Sequence, residues 1–269
     1  MNIPLHICWF KKSNNNLKTK DGENVEIWEF SHTDDSSVLS NWANHFRNNY
    51  MKDDLIDINM EGTSITSRKE FFEKSIFPNT KDQCSRNVRI GDFSELLVAD
   101  YFEYKENFIV PRSKYEGKDN KNFSPRGTDI ICFKINNPPS QNDELLSVEV
   151  KANFSIKYPQ KDKLEKAIEG AVADDSCRIA ESLVVMKNRF YRENKFELGK
   201  LLSRFQNLTD NPFKKETAAV AVYTEESFRD SYITNFNANL KIPMRLLVFK
   251  GKDFMKLCNK IYEIAANEA

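Results

Sequence analysis

Apolar and polar positions repeat with two different periods along this chain, and the changes of period mark its elements. Residues 3–10 and 25–31 are short apolar runs that read as strands, a hairpin or edge pair around the polar stretch Ser13-Asn14-Asn15-Asn16. From 36 to 51, Val38, Leu39, Trp42, Phe46 and Tyr50 stand at helical spacing, whereas 53–60 alternates as a further short strand. A polar segment at 61–82 contains Pro78-Asn79-Thr80, although Phe71, Phe72 and Phe77 predict that part of it packs as a helix. Ile90, Phe93, Leu97 and Tyr101 predict a helix over 86–104, with strands following at 107–111 and 128–135. A loop at 136–143 and a strand at 145–153 complete a hairpin with the second of these. Leu164, Ile168, Ala171, Val172, Ile179 and Leu183 give one apolar stripe to a long helix over 162–188. A basic helical region runs on to Phe205, strands are predicted at 218–223 and 244–249, and a helix at 252–266 closes the chain.

This order predicts an α/β fold with a restriction-endonuclease-like core: a central mixed sheet flanked by helices. The polar segment divides the chain into a small α+β N-terminal module, 1–82, and a core, 83–269. The first 60 residues hold 6 Lys+Arg against 9 Asp+Glu, and this acidic module is assigned to partner contact or regulation. No internal repeat is found.

Composition changes the picture little. Lys+Arg and Asp+Glu both number 40 in 269 residues, so net charge gives no long-range pull toward nucleic acid, and a basic surface has to be local. Cys8, Cys84, Cys132, Cys177 and Cys258 lie singly with no CxxC spacing, which predicts reduced thiols and a cytoplasmic setting. The start of the chain lacks the basic lead and cleavage site of a signal peptide. No apolar run approaches the roughly 18 residues of a membrane helix.

The chemistry concentrates in two short stretches. In Val148-Glu149-Val150-Lys151-Ala152, strict alternation puts Glu149 and Lys151 on one face of a strand. About 20 residues earlier, Gly127-Thr128-Asp129 leads into the apolar run 130–133, and the hairpin brings Asp129 close to Glu149. Two carboxylates held this way suit Mg2+ or Mn2+, which complete their shells with water and substrate phosphate. Lys151 is placed to orient a water or to neutralise a pentavalent phosphate. Glu95 adds a third carboxylate, on a helix where its neighbours are Gly91, Val98, Ala99 and Phe102. Such a group is expensive unless something positive meets it, and a metal is one candidate. Val-Glu-Val-Lys alone is ordinary alternation on a solvent-facing strand. The order and spacing of all three stretches are what favour a nuclease site.

Glu in a first helix, then Gly-Thr-Asp, then Val-Glu-Val-Lys in a core strand followed by a helix resembles the PD-(D/E)xK nuclease superfamily. Within it, residues 86–190, above all 89–97 and Arg126-Gly127-Thr128-Asp129-Ile130, are similar to the HamA family, the effector nucleases of Hachiman anti-phage systems. The resemblance implies Glu95, Asp129, Glu149 and Lys151 as the site, with the carboxylates as metal ligands. It also implies DNA as substrate and a superfamily 2 helicase, HamB-like, as partner. Thr128 stands where the superfamily's literal pattern has proline.

Other features are weighed against plainer explanations. The loop 112–126 carries Arg112, Lys114, Lys118, Lys121 and Arg126 into the aspartate and is the expected substrate-facing element, with Arg112, Lys114 and Arg126 as phosphate contacts; the alternative is a partner-docking loop. Arg86 and Arg89 read equally as phosphate contacts or a solvated helix start. The cations of 183–215, with Phe190, Tyr191, Phe196 and Phe205 between them, fit either a nucleic-acid surface or a solvated basic helix with core aromatics. Asp174 and Asp175 read as a polar helix face. His6, His32 and His45 lack metal-ligand spacing, and no GxxxxGK[ST] or GxGxxG is present, so a motor has to come from a partner. The rival functions are a catalytically silent adaptor that binds a helicase or DNA, and an RNase.

Overall fold

In a computed structural model, residues 3–112, 114–116, 118–173 and 176–269 are described, apart from the side chains of Ser176 and Cys177. Asp174, Asp175 and the Cys177 thiol therefore lie outside the described residues. In chain order the elements are β1 (Phe10–Lys12), β2 (Leu17–Lys18), β3 (Asn24–Phe30), α1 (Ser36–Arg47), α2 (Ile56–Met60), α3 (Arg68–Phe71), α4 (Gln83–Tyr104), β4 (Ile130–Lys134), β5 (Glu144–Asn153), α5 (Lys163–Ala173), α6 (Ser176–Arg192), α7 (Phe196–Arg204), β6 (Lys214–Thr224), α8 (Ser231–Thr234), β7 (Arg245–Gly251) and α9 (Phe254–Asn267). The expected mixed α/β architecture is present: helices flank one central sheet ordered β1-β3-β7-β6-β5-β4, with β2 also on β3. The β3-β7-β6-β5 pairs are parallel, and β1, β2 and β4 run antiparallel to their neighbours.

Period-two alternation sorts β6 between the two layers. Ala218, Val220 and Val222 face the core under α4 and α9, while Ala219, Ala221 and Tyr223 face the core that holds Leu164 and Ile168 of α5. A central parallel strand covered on both faces is expected to be apolar at nearly every position, as this one is. The N-terminal residues share this framework, since β3 pairs with β7 and Trp9, Trp42 and Phe46 belong to the same cluster as Phe93, Val148 and Phe249.

Several local expectations are corrected. Residues 3–10 form a 3-10 turn, Leu5–Trp9, and then β1. Leu5 and Cys8 are exposed while His6, Ile7 and Trp9 are buried, the threefold repeat of a 3-10 turn and not the twofold one of a strand. Residues 53–60 are a 3-10 turn followed by α2: Ile56 is buried and Ile58 exposed, whereas a strand would put both on one face. Of the strand expected at 107–111, an isolated bridge from Ile109 to Phe133 is present. Of the long helix expected over 162–188, α5 and α6 are the described parts, on either side of residues 174 and 175. Cys132 and Cys258 are buried free thiols, in keeping with the lack of CxxC spacing. Among the described residues no helix is long and apolar enough to cross a membrane.

Candidate active site

The hairpin of β4 and β5 builds the floor of the site. Gly127 has φ +108°, a conformation that a side chain disfavours, and it turns the chain toward β4. Ile130 pairs with Val148, so one step further out Asp129 comes beside Glu149. The Val150 N–H donates to Asp129 Oδ2 at 3.0 Å, which fixes the aspartate to the neighbouring strand. Glu149 and Lys151 are ion-paired on one face of β5. Over that face α5 passes so closely that a Cβ on Gly170 would lie 2.6 Å from Glu149 Oε1. Glu95 enters from α4, 7% exposed, and accepts a hydrogen bond from the Tyr115 hydroxyl.

The positive group that meets Glu95 is Lys114. Its Nζ lies 2.6 Å from Glu95 Oε2 and 2.7 Å from Asp129 Oδ1. Burial and the nearby Asp129 charge push the Glu95 carboxyl up to about 8. Burial opposes the Asp129 charge as well, but the Lys114 ammonium and the Val150 N–H outweigh it and hold that carboxyl below its ordinary value. Glu149 is raised by burial and by Asp129. Three acidic groups are thus crowded beyond what their own hydration supports, and ammonium groups balance them.

Glu95, Asp129, Glu149 and Lys151 all line one cleft of about 1490 Å³. The donor set is carboxylate oxygen throughout, which fits a hard divalent cation, and the Lys114 ammonium is a stand-in cation between two of the three. Among the described residues no group of three or more acidic, imidazole or thiol side chains is placed to hold a metal ion as it stands.

The loop 112–126 differs from expectation, because most of its charges point inward. Arg112 is paired with Asp100 and Glu103 at 2.6 and 2.5 Å, away from the cleft. Lys118 is paired with the buried Asp92, Lys121 donates to the carbonyls of Glu73 and Lys74, and Glu116 is paired with Arg189 of α6. Of the three anticipated phosphate contacts, Arg126 alone is exposed and lines the cleft. The physical reason lies on α4, whose buried carboxylates Asp92, Glu95 and Asp100 require cations, and the nearest in sequence are on this loop.

Arg86 also lines the cleft, while Arg89 stacks on the Tyr262 ring. The cations of 183–215 do not line it among the described residues: Arg204 is paired with buried Asp143, and Phe190 and Phe205 are core residues. His6 and His45 both bond to Asp100 at 2.8 Å and serve the ion-pair network of Arg112.

Sequence reasoning missed the opposite wall. Segment 154–160 and the start of α5 contribute Lys157, Tyr158, Gln160 and Lys163, and α6 contributes Arg178, whose guanidinium donates to the Gly127 carbonyl at 3.1 Å. Tyr158 and Ile156 are 76% and 57% exposed. The signal present in the sequence was an aromatic and an apolar residue flanking a lysine in a segment with no helical or strand period.

No curated protein matches this chain. A family model described as HamA matches residues 4–265. The match spans nearly the whole chain, the N-terminal strands included, and so this protein belongs to the HamA family of Hachiman-associated defence proteins.

Proposed function

We propose that the protein is a metal-dependent nuclease that hydrolyses DNA phosphodiester bonds with little sequence preference, as the effector of a Hachiman system beside a superfamily 2 helicase. The observation that carries the reading is the meeting of Glu95, Asp129, Glu149 and Lys151 in one cleft whose rim bears Arg86, Arg126, Lys157 and Lys163. Glu95, Asp129 and Glu149 would hold Mg2+ or Mn2+, which when bound polarises a phosphoryl oxygen and acidifies a water. Lys151 opposes, through its ion pair with Glu149, the rise that burial and Asp129 impose on that carboxyl, and presents an ammonium to the charge that builds on the phosphate. The rim cations hold the backbone, and the exposed Tyr158 ring offers a base-stacking surface. Contacts of these kinds read charge and π-faces, hence the broad sequence tolerance.

A silent adaptor that binds a helicase or DNA is the second reading, and the Lys114 ammonium between Glu95 and Asp129 is the observation in its favour. Glu149→Ala and Lys151→Ala, assayed for DNA cutting and phage protection with the helicase present, separate the two. Loss of both activities in folded variants is expected. Protection that survives in both variants supports the adaptor, and faster cutting of RNA than of DNA would change the substrate.

A further inference from the structure

We propose that Lys114, Tyr115 and Glu116, held between the anchors Arg112 and Lys118, act as a built-in inhibitory strap, in which Lys114 competes with the divalent cation for Glu95 and Asp129, so that the metal loads only as the strap lifts. The inference rests on the metal-site reading above and concerns the regulation of that site. A Mg2+ ion sits about 2.0–2.1 Å from its oxygens. An ion bridging Glu95 Oε2 and Asp129 Oδ1 would therefore fall within the space that the Lys114 Nζ fills at 2.6 and 2.7 Å. The two cations are mutually exclusive there. Lysine suits an exchangeable occupant, being one compact charge on a flexible stem, with no fork to lock it in place.

The strap is anchored on both sides of the plug. Before it, Arg112 is fixed to Asp100 and Glu103; after it, Glu116 holds Arg189 of α6 and Lys118 holds Asp92. Tyr115 adds a bond to Glu95 from the strap itself. The Arg189 anchor is on α6, outside the cleft lining, so a ligand that draws Glu116 from it works on the metal site from a distance. Linkage makes this reciprocal: whatever lifts the strap strengthens metal binding, and metal binding loosens the strap by the same factor.

The test uses the full chain. Mn2+ affinity is measured by the electron paramagnetic resonance of free Mn2+ for wild type, Lys114→Met, Glu116→Gln and Asp129→Asn, and hydrogen exchange across 112–118 is followed with and without Mn2+. The strap predicts about tenfold or more tighter binding in Lys114→Met. Glu116→Gln decides between the strap and simple charge, and keeps the test alive if Lys114→Met does not fold. Removing a negative charge should by itself weaken cation binding, whereas loosening an anchor should strengthen it. Mn2+ should also speed exchange across the strap in wild type. Unchanged or weaker binding in Glu116→Gln, or unchanged or slower exchange with Mn2+, overturns the strap and leaves the metal site standing. Absence of Mn2+ binding in all forms overturns the metal site as well.

Discussion

Gly170→Ala tests whether Glu149 works where the structure puts it. The added Cβ would lie 2.6 Å from Glu149 Oε1, 2.7 Å from Cδ and 2.8 Å from Cγ. Carbon atoms in contact prefer roughly 3.5–4.0 Å, so the overlap is about 1 Å. The clashing atoms belong to a side chain that can swing aside, and overpacking of this kind costs about 1–3 kcal/mol. Replacing glycine by alanine within a helix returns about 0.8–1 kcal/mol. Net destabilisation is then about 0–2 kcal/mol, a melting shift of a few degrees at roughly 2–4 °C per kcal/mol. Displacing a reacting group by about 1 Å, by contrast, lowers rate about 100-fold. Melting curves and Mg2+-dependent degradation of linear DNA should therefore separate, with stability nearly kept and cutting nearly lost. A Gly170→Ala variant that cuts at the wild-type rate would refute the assignment of Glu149.

Three further outcomes follow from the charge arrangement. Arg112→Ala leaves Asp100, which is 1% exposed, without its guanidinium and with the His6 and His45 imidazoles as its remaining partners, and should lower unfolding free energy by about 3–5 kcal/mol in denaturant titration; unchanged stability would return Arg112 to a surface role. Burial lowers the His6 imidazole below its ordinary value, even against the Asp100 carboxylate, with His45 and Arg112 also facing it. The unfolded chain then binds the extra proton, so the stability tied to neutral His6 should be present above about pH 6.5 and fall as the pH drops from there toward its lowered value. Melting temperatures from pH 7 to 5 check this, and His6→Phe should flatten the curve. Arg126→Ala and Lys157→Ala should each make DNA binding less salt-dependent, the log–log slope falling by about 0.9 for every phosphate no longer neutralised; an unchanged slope in both would move the DNA track elsewhere.

The meeting of Asp129, Glu149 and Lys151 was legible in the sequence because it depends on short-range geometry. Alternation in β5 fixes Glu149 and Lys151 to one face, and a hairpin loop of known ends places Asp129 opposite. Glu95 was legible as an energetic problem: a carboxylate in an apolar helix needs a cation, a metal was one candidate, and the structure places Lys114 against it. The same reasoning applied to Asp92 and Asp100 would have turned Lys118 and Arg112 inward too. Their burial, however, is set by α1 and the N-terminal turn packing on α4, contacts between residues some 40 to 90 positions apart that local periodicity does not carry. Gly170 was equally silent, since a glycine in a helix shows its purpose only through what lies beneath it. The edge elements failed for a further reason: over four or five residues, twofold and threefold repeats differ by a single position, as at Leu5–Trp9.

The most direct test of the central claim is cleavage itself. Purified protein with its helicase partner, supplied with Mg2+ or Mn2+, should shorten plasmid and linear DNA. EDTA should stop the reaction, and Glu149→Gln should abolish it while the variant's melting curve remains cooperative. DNA cleavage that persists through both EDTA and Glu149→Gln would contradict the account.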